Sequence, residues 1–442
     1  MKKGVFIFRR DFRIQDNTTL NELASLVDII VPIFIITPQQ VAKNPYKSSN
    51  SIQFMYESLK DLNKNLRNKL VVCFGENDEI IKKILSKNQD ITHIGFNLDY
   101  TPYSKKRDLS IIKIAKKMNI EIVIKQDYTI LPSFEIDAPK EYYSVFNAFY
   151  NNMMGKTIPK PVSKKIKFTN SIQTEKKTID TLKKYFTQNN EVIVRGGRKQ
   201  GLLKLKGLSK FKDYAKIRNL PMYNTTLLSA YIKFGCVSMR EVYHAMIKHV
   251  GKKSELTRQL IWHDFYAFLM MFLPEEQTIG GGNFKNKKVA WKNNPSLFRK
   301  WCEGKTGIPI IDASMRQLNT VGWMHNRSRL LVSNFLTKVL KIDWHKGERY
   351  FATMLVDYDV SSNNLNWQWS SGVGTDRTPY ERIYNPFKQA KEIDPDCVYI
   401  KKYVPELRNV DNHDILNWDK VYDEIDINYP KPIIDVGEKL RK

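Results

Sequence analysis

Seven of the eight tryptophans in this 442-residue chain fall between positions 262 and 369: Trp262, Trp291, Trp301, Trp323, Trp344, Trp367 and Trp369. Any one of them alone reads as an ordinary large core residue. Seven in so short a span point to the chemistry of flat rings, because clustered indoles can stack on a heterocycle, stack on bases or relay electrons. Stacking on an exposed base is worth about 1–3 kcal/mol in single-strand binders. Polar residues are threaded through the same span, in Gly322-Trp323-Met324-His325-Asn326-Arg327-Ser328-Arg329, in Asp357-Tyr358-Asp359 and in Asn363-Asn364-Leu365-Asn366-Trp367-Gln368-Trp369. Arg, Asp and Asn set between apolar helical positions point into a core, where each needs a partner. Arg329 and Asp357 are a candidate buried pair. Such a pair costs desolvation energy and seldom exists for stability alone. A heterocycle with ring nitrogens and carbonyls would supply the remaining partners.

Helices must position these residues. Apolar side chains recur at three- and four-residue spacing over 227–234, 240–250, 255–272, 312–321, 326–339 and 344–355, so residues 205–442 are expected to form an all-helical unit. The first 128 residues differ. Short β-rich runs at 5–8, 29–36, 70–74, 93–96 and 120–124 alternate with amphipathic stretches at 17–27, 51–67, 77–87 and 104–118. That alternation predicts an α/β unit with a doubly wound parallel sheet, whose ligands bind at the carboxyl ends of the strands. No GxGxxG follows the first strand, so an ordinary dinucleotide site is not indicated. Residues 129–204, proline-bearing and rich in lysine, read as an interdomain connector.

The charge is +26, from 72 Lys and Arg against 46 Asp and Glu, while 42% of residues are hydrophobic. The chain is therefore globular and implies a polyanionic partner. More than half of the excess sits at 156–218, where 18 Lys and Arg face 4 Asp and Glu. No apolar run approaches the ~20 residues of a membrane span. Cys73, Cys236, Cys302 and Cys397 form no CxxC pair. Neither a metal site nor a disulfide framework is expected, and a reducing cytoplasm fits.

The motifs at 304–329 and 357–369, with Phe8-Arg9-Arg10-Asp11-Phe12-Arg13 near the start and Tyr403-Val404-Pro405-Glu406-Leu407 near the end, resemble the photolyase/cryptochrome superfamily. They are most like the class I cyclobutane pyrimidine dimer (CPD) photolyases. The resemblance implies an α/β antenna domain, a long connector and a helical domain holding FAD, active in its reduced form. By position, Tyr214, Thr225, Thr226, Leu227 and Ser229 match FAD-phosphate and ribityl contacts. Trp323, Asn326, Arg329, Asp357, Asp359 and Asn363 match residues around the flavin ring, with Asn363 facing its redox-active nitrogen. Trp367, Trp344 and Trp291 match a three-tryptophan electron-transfer chain. The implied substrate is damaged DNA with its lesion flipped out, a mode in which photolyases are a standard example. Trp262 and Trp369 match the indoles that sandwich the flipped bases, Gln259 and Asn326 match groups that hold the dimer, and Arg327 and Arg382 match phosphate contacts. The implied protein works as a monomer.

Three pocket positions depart from the class I pattern. Gln259 stands where those enzymes carry Glu, Leu330 where they carry Met and His263 where they carry Arg. A glutamine amide donates a hydrogen bond but not readily a proton. Gln259 also matches (6-4) photolyases, but the two histidine positions of those enzymes are Asn326 and Leu330 here, and His325 is one residue out of register. Tyr103 and Ser104 replace the Asn and Glu of folate-binding relatives, which argues against a folate antenna and leaves deazaflavin, a second flavin or no antenna. The expected function is light-driven repair of cyclobutane pyrimidine dimers. A cryptochrome-like blue-light receptor and a (6-4) photolyase are the alternatives.

Overall fold

A computed structural model describes residues 1–42, 44–131, 143–375 and 383–435. Five strands, β1 (Lys3–Phe8), β2 (Ile29–Ile36), β3 (Val71–Phe74), β4 (Ile91–Asn97) and β5 (Glu121–Lys125), form one parallel sheet in the order β3-β2-β1-β4-β5. Strand alternation sorts the side chains. Val5, Ile7, Val31 and Ile33 feed the core on one face, while Phe6, Phe8, Ile30 and Phe34 feed the other. Four helices cover the sheet: α1 (Thr18–Leu26), α2 (Ser49–Asn65), α3 (Asn77–Lys87) and α4 (Pro102–Lys117). Asn17, Ser48 and Thr101 cap α1, α2 and α4 with their side chains, each accepting an N–H of the first turn. β1 pairs with β2 on one side and β4 on the other. The topological switch point therefore lies between β1 and β4.

The Phe6–Phe34 face does not end at the sheet. Its core continues into Leu227, Phe265, Trp323 and Leu365 of the helical half. A second core holds Trp301, Trp344, Trp367 and Trp418. The elements used below are α5 (Phe146–Met154), α6 (Met239–Val250), α7 (Glu255–Phe272), α8 (Pro309–Val321), α9 (Asn326–Asn334), α10 (Trp344–Met354) and α11 (Val360–Ser371). Two expected boundaries move. The helix expected at 227–234 covers only Ser229–Lys233, because Leu227 has φ +54° and no helix can run through a left-handed residue. The helix expected over 326–339 loosens into a π turn at Phe335–Val339.

The two halves meet along a polar seam at the carboxyl end of β1. Arg10 pairs with Asp359, and Arg240 with Asp16 at 2.9 Å and with Asp127 at 3.0 Å, Asp127 being held from its own half by Arg13. Phe12 N donates to Phe234 O at 3.0 Å. Gly235 (φ +59°) is required here, since a Cβ would sit 2.2 Å from Arg10 O. The basic tract spans both halves. Its exposed Lys164, Lys165 and Lys167 flank a parallel bridge between Phe168 and Ile30, near the amino-terminal end of β2. Before and after that stretch it reaches the seam and the helical half, where Val162 N donates to Asp16 at 2.9 Å, Arg198 pairs with Glu241 at 2.6 Å and Arg218 pairs with Glu255.

Candidate functional site

A cavity of about 260 Å³ opens between α7, α9, α11 and the loop before Ser229. The residues expected to hold a cofactor converge on it. Tyr214, Thr225, Thr226, Leu227 and Ser229 form one wall. Trp323, Asn326, Arg329, Asp357, Asp359 and Asn363 form the facing wall, joined by Gln259 and Trp367. The left-handed Leu227 is what turns the Thr225–Thr226 hydroxyl loop into the cavity rather than along a helix.

The Arg329–Asp357 pair is present. Arg329 Nη2 reaches both carboxylate oxygens at 3.0 and 3.2 Å, its Nε donates to Met324 O at 2.9 Å, and Ser229 Oγ donates to Asp357 at 2.7 Å. Asp357 thus ties α9 to the phosphate-type loop. Asp359 has a different task. Its carboxylate caps α11 and accepts from Ser361, Tyr128 and Arg10. Burial opposes its charge, but the Arg10 guanidinium together with the Ser361 and Tyr128 hydrogen bonds and His263 outweighs it and holds the carboxyl well below the usual range. Asn363 Nδ2 donates to Glu348 Oε1 at 2.9 Å and to Glu348 O at 3.2 Å. With its NH₂ anchored, Asn363 presents its carbonyl oxygen to the cavity, so it suits a ring N–H better than a bare ring nitrogen.

At the mouth, α7 brings Gln259 and Trp262, one turn apart. The Trp262 ring lies on Phe146 of α5, with centroids 3.6 Å apart and planes 4° from parallel. One face of the indole is therefore already covered. Gln259 Nε2 rests on Glu255 O at 3.3 Å, a bond readily exchanged for a ligand. Asn326 and Leu330 project from successive turns of α9 into the same cavity. Trp369 is half-buried on α11, one turn beyond Asn366, whose Oδ1 accepts from Tyr266 at 3.1 Å. Neither Trp262 nor Trp369, the two expected stacking indoles, lines the cavity itself; each stands one helical turn beyond a lining residue, Gln259 and Asn366. Arg327 is steadied by Gln389 Oε1 at 2.6 Å. Arg382 lies outside the described residues. His263 is turned away, edge-on to Tyr128 at 4.7 Å and 3.3 Å from Asp264 Oδ1. His325 is fully buried. It caps α9 by accepting from Arg327 N at 3.2 Å, and burial pushes its imidazole down to about 4, so it is neutral and out of reach as an acid.

Trp367 is buried against α10, where its ring passes over Gly347; a Cβ there would lie 2.3 Å from the indole. Trp344 stands one turn away on the same helix, 1% exposed. The segment after Trp291 is pinned to the loop before Trp344 by Lys292 N–Lys341 O (2.7 Å) and Asp343 N–Asn293 Oδ1 (3.0 Å). The three expected indoles therefore sit on successive, directly bonded pieces of backbone. Trp301, not singled out from sequence, is edge-on to Trp367 at 6.2 Å. Phe146 and Glu348 were also missed. Gly347 inside an otherwise helical run was the one sequence signal that α10 is closely approached.

A second cavity of about 520 Å³ lies at the carboxyl ends of β1 and β2 and reaches Asp99 and Thr101 beyond β4, across the switch point. Arg10, Thr37, Asp99 and Lys233 line it, and Tyr358 and Asp359 line both cavities. Burial pushes the Lys233 ammonium down to about 7. Ser104 is engaged by Thr101 Oγ1 at 2.8 Å, within the cap of α4.

Residues 256–442 match the model of the FAD-binding domain of DNA photolyase, and residues 4–165 match the DNA photolyase model. The chain is 33% identical over 467 residues to the deoxyribodipyrimidine photo-lyase of Buchnera aphidicola from Acyrthosiphon pisum, spanning 100% of this chain and 96% of that one. An archaeal photolyase from Sulfolobus tokodaii, solved with two FAD molecules, superimposes with a TM-score of 0.89 at 37% identity, covering 99% of this chain and 98% of that one. A Synechocystis cryptochrome superimposes with a TM-score of 0.89 at 25% identity, covering 100% and 98%.

Proposed function

The chain belongs to the DNA photolyase family, and from that premise we propose that it repairs cyclobutane pyrimidine dimers in DNA by light-driven electron transfer. It is a photo-lyase with an FAD-binding domain. The cavity of about 260 Å³ fits a flavin ring: Trp323, Phe351 and Trp367 supply flat apolar walls, and the Asn363 carbonyl is the one polar group anchored to meet a ring N–H. Bound and reduced, FAD supplies the photoexcited electron that opens the dimer. Thr225, Thr226 and Ser229 are placed to bind its phosphates and ribityl chain, and the Arg329–Asp357 pair to meet its ring polar edge.

The observation that carries the dimer reading is the mouth. Gln259 and Asn326 offer two neutral amides in the cavity wall, and Trp262, one helical turn from Gln259, is backed by Phe146. Amides hydrogen-bond the carbonyl-rich edge of a pyrimidine dimer without requiring an acid. A (6-4) lesion needs an acid to move a hydroxyl group, and His325, beside Asn326, is buried and neutral. Stacking of flipped bases on Trp262 and Trp369 and phosphate contacts from Arg327 and Arg382 complete the reading. Trp291, Trp344 and Trp367 would carry electrons from the surface towards a bound flavin.

The second cavity takes a light-harvesting chromophore of flavin type. Its support is its place at the switch point, its size, and the second FAD in the S. tokodaii relative. Ser104, held within its helix cap, does not suit a folate site.

The test is to illuminate the reduced holoprotein with oligonucleotides carrying either a cyclobutane dimer or a (6-4) photoproduct. Loss of the cyclobutane dimer alone supports the reading. Loss of the (6-4) product, or of neither lesion as in a receptor, refutes it.

A further inference from the structure

Arg258 stands on α7 one residue before Gln259, which lines the cavity of about 260 Å³. Its guanidinium lies over two rings of α5, 4.6 Å from the Tyr150 centroid and 5.0 Å from that of Phe146. Its Nη2 donates to Asn147 Oδ1 at 2.9 Å. Among the described residues no carboxylate pairs with it, and Glu255, three residues earlier on α7, is taken by Arg218. The remaining guanidinium donors have no protein acceptor among those residues. Arg327 on α9 is held in the same way. It stands one residue after Asn326, which lines the same cavity from α9. Its guanidinium lies 5.5 Å from the Tyr384 centroid, and its Nη2 donates to an amide oxygen, Gln389 Oε1, at 2.6 Å. Each arginine is thus a planar cation laid over a tyrosine, fixed by one neutral amide and left without a counter-ion among the described residues.

We propose that Arg258 is a phosphate contact which, with Arg327, grips the DNA backbone on the two sides of the extruded lesion. The proposal rests on DNA being the substrate presented to this cavity. A base turned out of the duplex leaves its flanking phosphates at the rim of the pocket that receives it. Helices α7 and α9 bound that pocket, so cations beside Gln259 and Asn326 meet the strand on either side of the lesion. A guanidinium laid on an aromatic face keeps its charge and loses little freedom on binding, because its plane is already set. The surface beyond Arg258 suits the same strand. Asn147, Asn151 and Asn152 are exposed on α5, which carries no acidic residue to repel a phosphate. Lys252 Nζ donates to Met154 O at 2.9 Å, which holds a further ammonium at the end of that helix.

The test is the salt dependence of binding by the FAD-loaded full chain, read by fluorescence anisotropy on duplex oligonucleotides with and without a cyclobutane dimer. Removing one phosphate contact makes the slope of log affinity against log salt shallower by about 0.9. Arg258→Gln should show that change on both DNAs, so its deficit against wild type widens about 8-fold for each tenfold drop in salt. Arg258→Lys, which keeps the charge, should keep the slope. Arg258→Gln/Arg327→Gln should be shallower by about 1.8. A wild-type slope in Arg258→Gln overturns the proposal, whether affinity is kept or falls on dimer-containing DNA alone. The second of those results would make Arg258 only a support for Phe146. Dimer splitting is scored separately. A shallower slope in a protein that splits no dimer keeps the contact and refutes the repair reading. A wild-type slope in a protein that splits dimers does the reverse, and no binding of either DNA by wild type refutes both.

Discussion

Phe146 covers one face of Trp262, with ring centroids 3.6 Å apart and planes 4° from parallel. The pair joins α5 of the connector to α7 of the helical half and fixes the indole one turn beyond Gln259, which lines the cavity. An aromatic pair adds about 0.5–1.5 kcal/mol beyond the area it buries. Phe146→Ala should therefore weaken binding of dimer-containing DNA by about 2- to 10-fold. Undamaged DNA should bind as before, because its bases stay stacked. Equal losses on both DNAs in a fluorescence titration would show that Phe146 supports the whole surface rather than the Trp262 platform.

Gln259 holds its amide on Glu255 O at the cavity wall, where it donates but does not readily transfer a proton. Gln259→Glu should raise the number of dimers split per absorbed photon. The yield should fall again as pH rises and the new carboxyl ionises. An unchanged yield across pH would mean that the hydrogen bond alone suffices.

The Arg10–Asp359 pair locks the two halves together, and Asp359→Asn isolates its charge, because asparagine keeps the cap of α11. Breaking one partner of such a pair costs about 3 kcal/mol. Burial raises the pKa of Asp359, and Arg10 together with His263, Ser361 and Tyr128 brings the folded-state value below the unfolded one. The contribution is therefore complete above the unfolded pKa of about 4 and is lost as pH falls through the lower folded value. Urea unfolding of wild type and variant should differ by a constant amount from about pH 7 to about pH 5 and converge below about pH 4. A difference that persists undiminished at the acid end would mean that the ion pair is not its source.

Lys233 faces the second cavity with its ammonium pushed by burial down to about 7. In the unfolded chain it titrates near 10.4, so between about 7 and about 10.4 the unfolded state binds more protons and this group's contribution to stability rises with pH. Lys233→Met should raise the melting temperature of protein with the second cavity empty. The gain should be largest below about pH 7 and vanish above about pH 10.4. A variant less stable than wild type at neutral pH would mean that the Lys233–Ser51 hydrogen bond, at 3.1 Å, outweighs the burial of charge.

The two-part architecture was legible in the chain, because the strands alternate β-rich runs with amphipathic helices and because apolar spacing separates the two halves. The flavin-side residues were legible through the motifs around Arg329 and Asp357, which the structure brings to one cavity. The rest depends on contacts between distant segments. Leu227 reads as a helix residue and is left-handed because the loop before Ser229 must enter the cavity. Glu348 reads as a solvated helix position and is buried, since Gly347 lets Trp367 pack onto the same turn. Phe146 sits in a polar connector, and nothing in its local sequence points to Trp262. The basic tract drew attention by charge alone, yet its exposed Lys164, Lys165 and Lys167 lie by the amino-terminal end of β2 and its Arg198 and Arg218 are held in ion pairs with Glu241 and Glu255. It suits long-range attraction to a phosphate backbone rather than contact with a lesion.

The most direct measurement is the light-dependent loss of cyclobutane dimer from a defined oligonucleotide, scored against absorbed photons with the flavin chemically reduced beforehand. The predicted result is stoichiometric return of the two pyrimidines under blue light, none in the dark, and the same outcome for Trp367→Phe, whose electron route is bypassed by prior reduction. Bound, reduced FAD with intact dimer after illumination would contradict the account.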